Sequence, residues 1–459
     1  MSSFQLLLHP LLLLLVVGGV AGGGGGGGRL RAPSLEFHHR FSSPVQRWAE
    51  ARGHVLPGGW PEHGSADYVA ALNGHDRRRA LSAAGGDGGG GGDKPPPLTF
   101  SEGNATLKVS NLGFLHYALV TVGTPGQTFM VALDTGSDLF WLPCQCDGCT
   151  PPASAASGSA SFYIPSMSST SQAVPCNSQF CELRKECSTT SQCPYKMVYV
   201  SADTSSSGFL VEDVLYLSTE DAIPQILKAQ ILFGCGQVQT GSFLDAAAPN
   251  GLFGLGIDMI SIPSILAQKG LTSNSFAMCF SRDGTSFTYL ADPAYTYITQ
   301  SFHAQVHANR HAADSRIPFE YCYDLSSSED RIQTPSISLR TVGGSVFPVI
   351  DEGQVISIQQ HEYVYCLAIV KSAKLNIIGQ NFMTGLRVVF DRERKILGWK
   401  KFNCFSPSAP ENYAPEETKG GNPASVTQLR PLSNSNPVMW YDSLVFRFLL
   451  VNLAALILF

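Results

Sequence analysis

The chain has 459 residues, 44% of them hydrophobic and 15% charged, with a formal net charge of −5. That length holds one large domain or two of medium size, and the composition is that of a globular protein. The mild acidity argues against nucleic acid as a partner, because a nucleic-acid binder needs clustered Lys and Arg; the longest basic run is Arg77-Arg78-Arg79.

Residues 1–21 form an apolar run that ends in small residues, which reads as a secretory signal cut after Ala21. The alternative, a membrane anchor, conflicts with Pro10 and the short apolar core. Residues 22–107 read as a propeptide or Gly-rich spacer. Gly22 to Gly28 and the glycines of 85–93 cannot pack a core and are expected to be flexible. Between them, "SLEFHHRFSSPVQRWAEA" is basic and helix-prone. It is either a segment that holds an acid-using site shut or a poorly ordered leader. Asn104-Ala105-Thr106 is a glycosylation sequon, consistent with secretion.

From about residue 112 to 404 short β-rich runs alternate with Gly, Pro, Ser and Asn. "FLHYALVTVGTPGQTFMVALDTGS", "KMVYVSADTSSSGFLVEDVLYL", "AQILFGCGQ", "SISLRTVGGSVFPVI" and "GLRVVFDRERKILGWK" read as strands and hairpins of an all-β domain. Two stretches read as helices, "SIPSILAQKGL" and "DPAYTYITQSFHAQVHANRH". The second would put His303, His307 and His311 on one face, at a spacing metal ligands can use. With no acidic or cysteine partner at fixed spacing, a solvated face is the better account. The chain has 12 cysteines, an even number that in a secreted chain implies disulfides. Cys144, Cys146 and Cys149 lack a fourth ligand, so disulfides are preferred there over a metal. No nucleophile elbow and no phosphate loop is present.

"VALDTGSDLFWLPC" carries the strongest chemical signal. An apolar strand from Phe129 to Leu133 runs into Asp134. Thr135 can bond the backbone of a neighbouring lobe, Gly136 lets the chain turn, and Ser137 can hold the carboxylate. A weak internal repeat follows. "ALDTGS" precedes "GLFGLG", and "RDGTS" precedes "NIIGQNF", as if two similar lobes each offered one acid to a shared cleft. Two carboxylates about 3 Å apart cannot both ionise; one acts as base on water and the other as acid on a carbonyl.

These elements in this order resemble the pepsin-like aspartic proteases, in particular the cysteine-rich plant branch that includes nepenthesins. The matching residues are Asp134-Thr135-Gly136-Ser137, Trp141, "FGCG" at 233–236, "NGLFGLG" at 250–256, "GTSFTYL" at 284–290 and "NIIGQNF" with "VVFDRERKILGW". The resemblance implies an all-β bilobal fold, with an N-terminal lobe over 108–280 and a shortened, incomplete C-terminal lobe over 281–404. It implies a monomer that hydrolyses peptide or protein substrates without metal or cofactor. It makes Asp134 a catalytic acid, and Asp283 is the only nearby candidate for its partner. Thr135, Gly136, Ser137, the flap residue Tyr199, Gly284 and Thr285 then line the substrate. It also suggests disulfides Cys176–Cys193, Cys181–Cys187 and Cys279–Cys404.

The second turn departs from the family pattern, which reads Asp-Thr-Gly or Asp-Ser-Gly. If Gly284 is the turn glycine, Asp283 stands where Thr or Ser belongs and Arg282 where the acid belongs. One residue along an extended chain is about 3.4 Å and the opposite face. The two acids also lie several tens of residues closer in sequence than the family spacing, so the join from Ser281 to Gly284 reads as a deletion that removes the first strands of the second lobe. An arginine in the cleft would pair with Asp134 and block proton sharing. The product would then be a pseudo-protease that binds without cutting.

A polar stalk over 405–436 leads to an apolar tail, 437–459. Ser433 to Asn436 are small residues just upstream, the pattern of a GPI signal. A spanning tail is the alternative, but 443–459 is short for a span and contains Arg447 and Asn452. The expected destination is the extracellular face of the plasma membrane or the cell wall.

Overall fold

The computed structural model describes residues 32–51, 59–83, 114–144, 162–280 and 286–404, with breaks inside 184–191, 200–203, 221–222, 244–249, 329, 342–343 and 374–375. Short strands at 13–16, 98–99, 106–107, 427–428 and 447–448 are also described. The fold is all-β and bilobal.

The leader is not separate from the body. Strand β1 (Pro33–His39) is buried on nearly every residue, and Phe37 is fully enclosed. It precedes helices α1 (Ser43–Glu50) and α2 (Ala66–Ala83). So the basic segment expected to be helical is helical only in its second half. Ser65 Oγ accepts the Tyr68 N–H at 3.1 Å, an N-cap for α2, and Asp67 sits in its first turn where the helix dipole favours an acid.

In the first lobe β2 (His116–Val122) and β3 (Gln127–Asp134) form a hairpin in the register Tyr117↔Ala132 to Val122↔Gln127. Apolar residues fill both faces of β3, as a strand covered on two sides requires. After β4 (Trp141–Pro143) and β5 (Pro194–Val198), the long strands β6 (Ser205–Thr219) and β7 (Ile226–Thr240) pair antiparallel with a bulge at Ser207/Gly208. A Cβ on Gly208 would stand 2.0 Å from the Cys235 carbonyl oxygen, so that position must be glycine. β8 (Leu252–Gly254) and α3 (Ile262–Gln268) close the lobe.

β9 (Ser275–Cys279) leads to the second lobe, where β10 (Thr288–Ala291) precedes α4 (Ala294–Gln305). β11 (Cys322–Leu325), β12 (Gly353–Gln359) and β13 (Glu362–Leu367) form an antiparallel sheet with β13 in the centre. β14 (Ile369–Ser372) lies parallel to β10. After α5 (Gln380–Met383), the hairpin β15 (Leu386–Asp391) and β16 (Ile396–Lys401) returns to β9. One continuous sheet therefore crosses both lobes. Its order is β16-β15-β9, the strand Leu13–Val16, then β1-β2-β3-β8-β4-β7-β6.

Two expectations need correction. The disulfides near residue 180 are Cys176–Cys187 and Cys181–Cys193, not Cys176–Cys193 and Cys181–Cys187. Cys279–Cys404 is as expected, and Cys144–Cys235 and Cys322–Cys366 join it. Cys144 is thus committed to a disulfide; Cys146 and Cys149 lie outside the described residues. The three histidines also fail to share a helix face. α4 ends at Gln305 because Val306 turns to extended backbone at φ −89, ψ 122. His303 Nδ1 meets the Tyr323 hydroxyl at 3.0 Å, while His311 Nδ1 meets Asp324 at 2.6 Å.

Candidate active site

Asp134 ends β3 at the point where the chain must leave the sheet. Its carbonyl accepts the Leu255 N–H at 2.8 Å, and Ala132 N–H donates to the Gly251 carbonyl at 3.0 Å. β8 runs parallel beside it, with Gly254 opposite Asp134. The carboxylate is 8% exposed and bonded at both oxygens. Gly136 N–H donates to Oδ1 at 3.0 Å, and Ser137 O–H donates to Oδ2 at 2.6 Å. The role read for Ser137 is therefore met. At Gly136 an added Cβ would crowd Asp134 Oδ1 at 3.3 Å. Thr135 makes no side-chain hydrogen bond among the described residues. The second-turn residues Asp283, Gly284 and Thr285 lie outside the described residues, as does Arg282.

Tyr199 stands over this carboxylate. Trp141 Nε1 donates to its hydroxyl at 2.9 Å. Its backbone N–H closes on the Thr204 carbonyl at 2.8 Å, across the tip of the hairpin between β5 and β6. Burial pushes the phenol up, and the negative charge of Asp134 adds to that push. Phe243 completes the wall, with ring centroids 4.9 Å from Trp141 and 5.2 Å from Tyr199, both edge-on. Sequence reading missed Phe243. The only local signal was an aromatic in a Gly-Ser turn.

The loop behind the turn is held from the second lobe. Asp138 Oδ1 accepts the Asp258 N–H at 2.7 Å. Arg392, in the β15–β16 turn, reaches the Gly256 carbonyl, Ser261 Oγ at 3.0 Å and Ser264 Oγ at 2.9 Å. Burial lowers the Arg392 guanidinium to about 10, partly offset by Asp138. This brace was also missed, because its members are distant in sequence.

The second lobe repeats one of these strand pairings. Leu252 pairs antiparallel with Trp141 in the first lobe, and Ile377 with Tyr289 in the second. Two residues on, a Cβ on Gly254 would stand 2.3 Å from the Asp138 carbonyl oxygen. A Cβ on Gly379 would stand 2.3 Å from the Phe287 carbonyl. The strand pairings make Trp141 equivalent to Tyr289, while the glycine contacts, at Asp138 and at Phe287, fall one residue out of that register. Asp134 precedes Trp141 by as many residues as Arg282 precedes Tyr289. Counted along the sequence from that pair of strands, Arg282 corresponds to Asp134; both Arg282 and Asp283 lie outside the described residues. Both crossings admit only glycine; Gly254→Ala or Gly379→Ala is expected to destabilise the chain by roughly 2–4 kcal/mol in urea unfolding, the usual range for forced backbone overlap.

Comparison with known proteins gives consistent matches. Residues 116–291 match the family described as xylanase inhibitor N-terminal, and residues 263–401 its C-terminal counterpart. The chain is 43% identical over 461 aligned positions to aspartyl protease family protein 1 of Arabidopsis thaliana, covering 88% of this chain and 86% of that protein. It is 25% identical to aspartic proteinase nepenthesin-2 of Nepenthes gracilis, covering 62% and 77%. Among solved structures, conglutin gamma from lupine seeds is 20% identical, with coverage of 64% and 95% and a TM-score of 0.47. In the first alignment, 88% of 459 residues is about 404, so about 57 of the 461 positions face no residue of this chain.

Proposed function

Since the chain belongs to the plant pepsin-like aspartic protease family, we propose that it is an aspartic endopeptidase whose cleft takes an extended peptide beneath Tyr199. The observation that carries this reading is the Asp134 carboxylate, enclosed and bonded by Gly136 and Ser137 at the end of a rigid strand. In the reaction, the ionised carboxylate of a pair removes a proton from water. The water oxygen bonds to the scissile carbonyl carbon, and the protonated partner gives its proton to the carbonyl oxygen. The C–N bond then breaks as the amine nitrogen takes up a proton. Asp283 is the acid the sequence offers as partner for Asp134.

A second reading, that the chain binds peptides without cutting them, is favoured by the equivalence of Arg282 with Asp134. Both readings meet one assay, digestion of a denatured protein at acid pH by the purified chain. The endopeptidase reading expects cleavage that Asp134→Asn and Asp283→Asn each reduce by a factor on the order of 10² to 10⁴. No cleavage by a folded, monodisperse sample, or cleavage indifferent to Asp134→Asn, sinks it.

We also propose that residues 1–21 direct the chain into the secretory pathway and that 437–459 signal a GPI anchor. Among the described residues no helix is long and apolar enough to cross a membrane, and of the tail only 447–448 is described. Phosphatidylinositol-specific phospholipase C is expected to release the protein from membranes of expressing cells. A protein that stays membrane-bound after that treatment, but is freed by detergent, would point to a spanning tail.

A further inference from the structure

Residues 59–83 precede the first lobe in sequence yet are built into the second. Tyr68, Val69, Ala71 and Leu72 of α2 share one buried cluster with Phe287, Tyr289, Ile356, Val364, Cys366 and Ile377. Polar contacts fix the docking. Phe287 N–H donates to Asp76 Oδ2 at 2.9 Å in a buried setting, and the Tyr289 hydroxyl lies 3.3 Å from the same oxygen. Ser357 N–H donates to the Gly64 carbonyl at 2.8 Å, so β12 gains a bridge from the residues that lead into α2. Arg316 stands 3.8 Å from Asp67.

The first lobe shows what is missing here. There, β3 runs parallel to β8 and feeds the carboxylate turn. Among the described residues, no strand lies parallel to Ile377–Gly379, the equivalent of β8. The relative from Arabidopsis thaliana carries about 57 positions that this chain lacks. Removal of α2 would expose its apolar partners and leave the Phe287 N–H without its acceptor, a double cost of hydration and desolvated polarity.

We propose that residues 59–83 are a resident part of the second lobe, docked on the face that its shortened sheet leaves uncovered, and not a leader that leaves on maturation. Asp76 is a positioning residue. It fixes Phe287 and Tyr289, which follow directly on the Asp283 turn.

The test cuts the full chain and reads association, so it does not depend on peptide hydrolysis. Recognition sites for a site-specific protease are placed within 52–58 and within 88–92, and the purified chain is cut at both. The fragment 59–83 is expected to co-elute with the body on size exclusion at pH 7 and to separate only under denaturing conditions. Leu72→Asp in the same doubly cut chain is expected to lower retention at least tenfold, and Asp76→Ala to lower it in part. Asp76→Asn, which keeps an acceptor oxygen, should restore most of it. Displacement of the wild-type fragment that unfolds the body also supports the proposal. Release of the wild-type fragment from a body that stays monodisperse, with an unchanged melting temperature, overturns it.

Discussion

Arg282→Asp combined with Asp283→Thr is expected to raise acid proteolysis at least about hundredfold over the parent chain, because about 1 Å of misplacement already costs that factor. The argument is one of register. Tyr289 pairs with Ile377 as Trp141 pairs with Leu252, and counted back from those pairs the acid equivalent to Asp134 belongs at residue 282. Asp283 is one step further along, about 3.4 Å away and on the other face of an extended chain. The double variant restores Asp-Thr-Gly in front of Thr285, with the acid in register. Arg282→Leu separates the two causes. If a buried guanidinium paired to Asp134 is the main defect, this single change should recover part of the rate. If register dominates, it should recover almost none. An unchanged rate in the double variant, with Asp134→Asn still inactivating, would mean that Asp283 already reaches its partner.

The parts of this molecule that were legible in the sequence are those decided locally. β3 ends in Asp134, and Gly136 and Ser137 follow at once, so strand, turn and carboxylate ligands lie within one short stretch. The hairpins β2–β3, β6–β7 and β15–β16 were legible for the same reason, as runs of β-formers separated by turn residues. What escaped was set by distance. His38 and His39 of β1, and Arg40 just after it, belong to the segment read as basic and helix-prone, yet all three are buried where β1 pairs with β2. α2 contains Asn73-Gly74 and three consecutive arginines, which hide a buried face of Tyr68, Val69 and Leu72 ending in Asp76. The crossed disulfides show the limit most sharply. Cys181 Sγ lies 4.0 Å from Cys187 Sγ, close to pairing, but bonds Cys193 instead. Spacing along the chain cannot choose between partners that converge so closely.

Acidification is expected to loosen the leader, and buried histidines set the sign. His38 is 6% exposed and His39 1%. His38 faces the Glu36 carboxylate at 3.7 Å and the charge of Arg47; burial first, and Arg47 second, lower it to about 4. His39 accepts from Phe41 N–H, lies 3.4 Å from the Tyr68 hydroxyl, and faces His116, Arg40 and His63. Burial first, then the neighbouring His116, Arg40 and His63, hold it well below the usual range. A base lowered in the folded state binds fewer protons there than when unfolded, so stability falls as pH falls. The stabilisation is complete above about pH 6.5, the unperturbed value, and for His38 it is exhausted below about pH 4. Each unit is about 1.4 kcal/mol, so His38 alone accounts for about 3 kcal/mol, with His39 adding in the same direction. Glu36 opposes this, since burial raises its carboxyl and its protonation on acidification is favourable. Urea unfolding between pH 7 and 4.5 is therefore expected to show a steep loss in the parent chain. His38→Gln with His39→Gln should flatten it, even if the variant starts lower at pH 7. Parallel pH profiles would mean that the docked histidines are already charged. A flattened profile would mean that the buried histidines set the acid sensitivity of the leader.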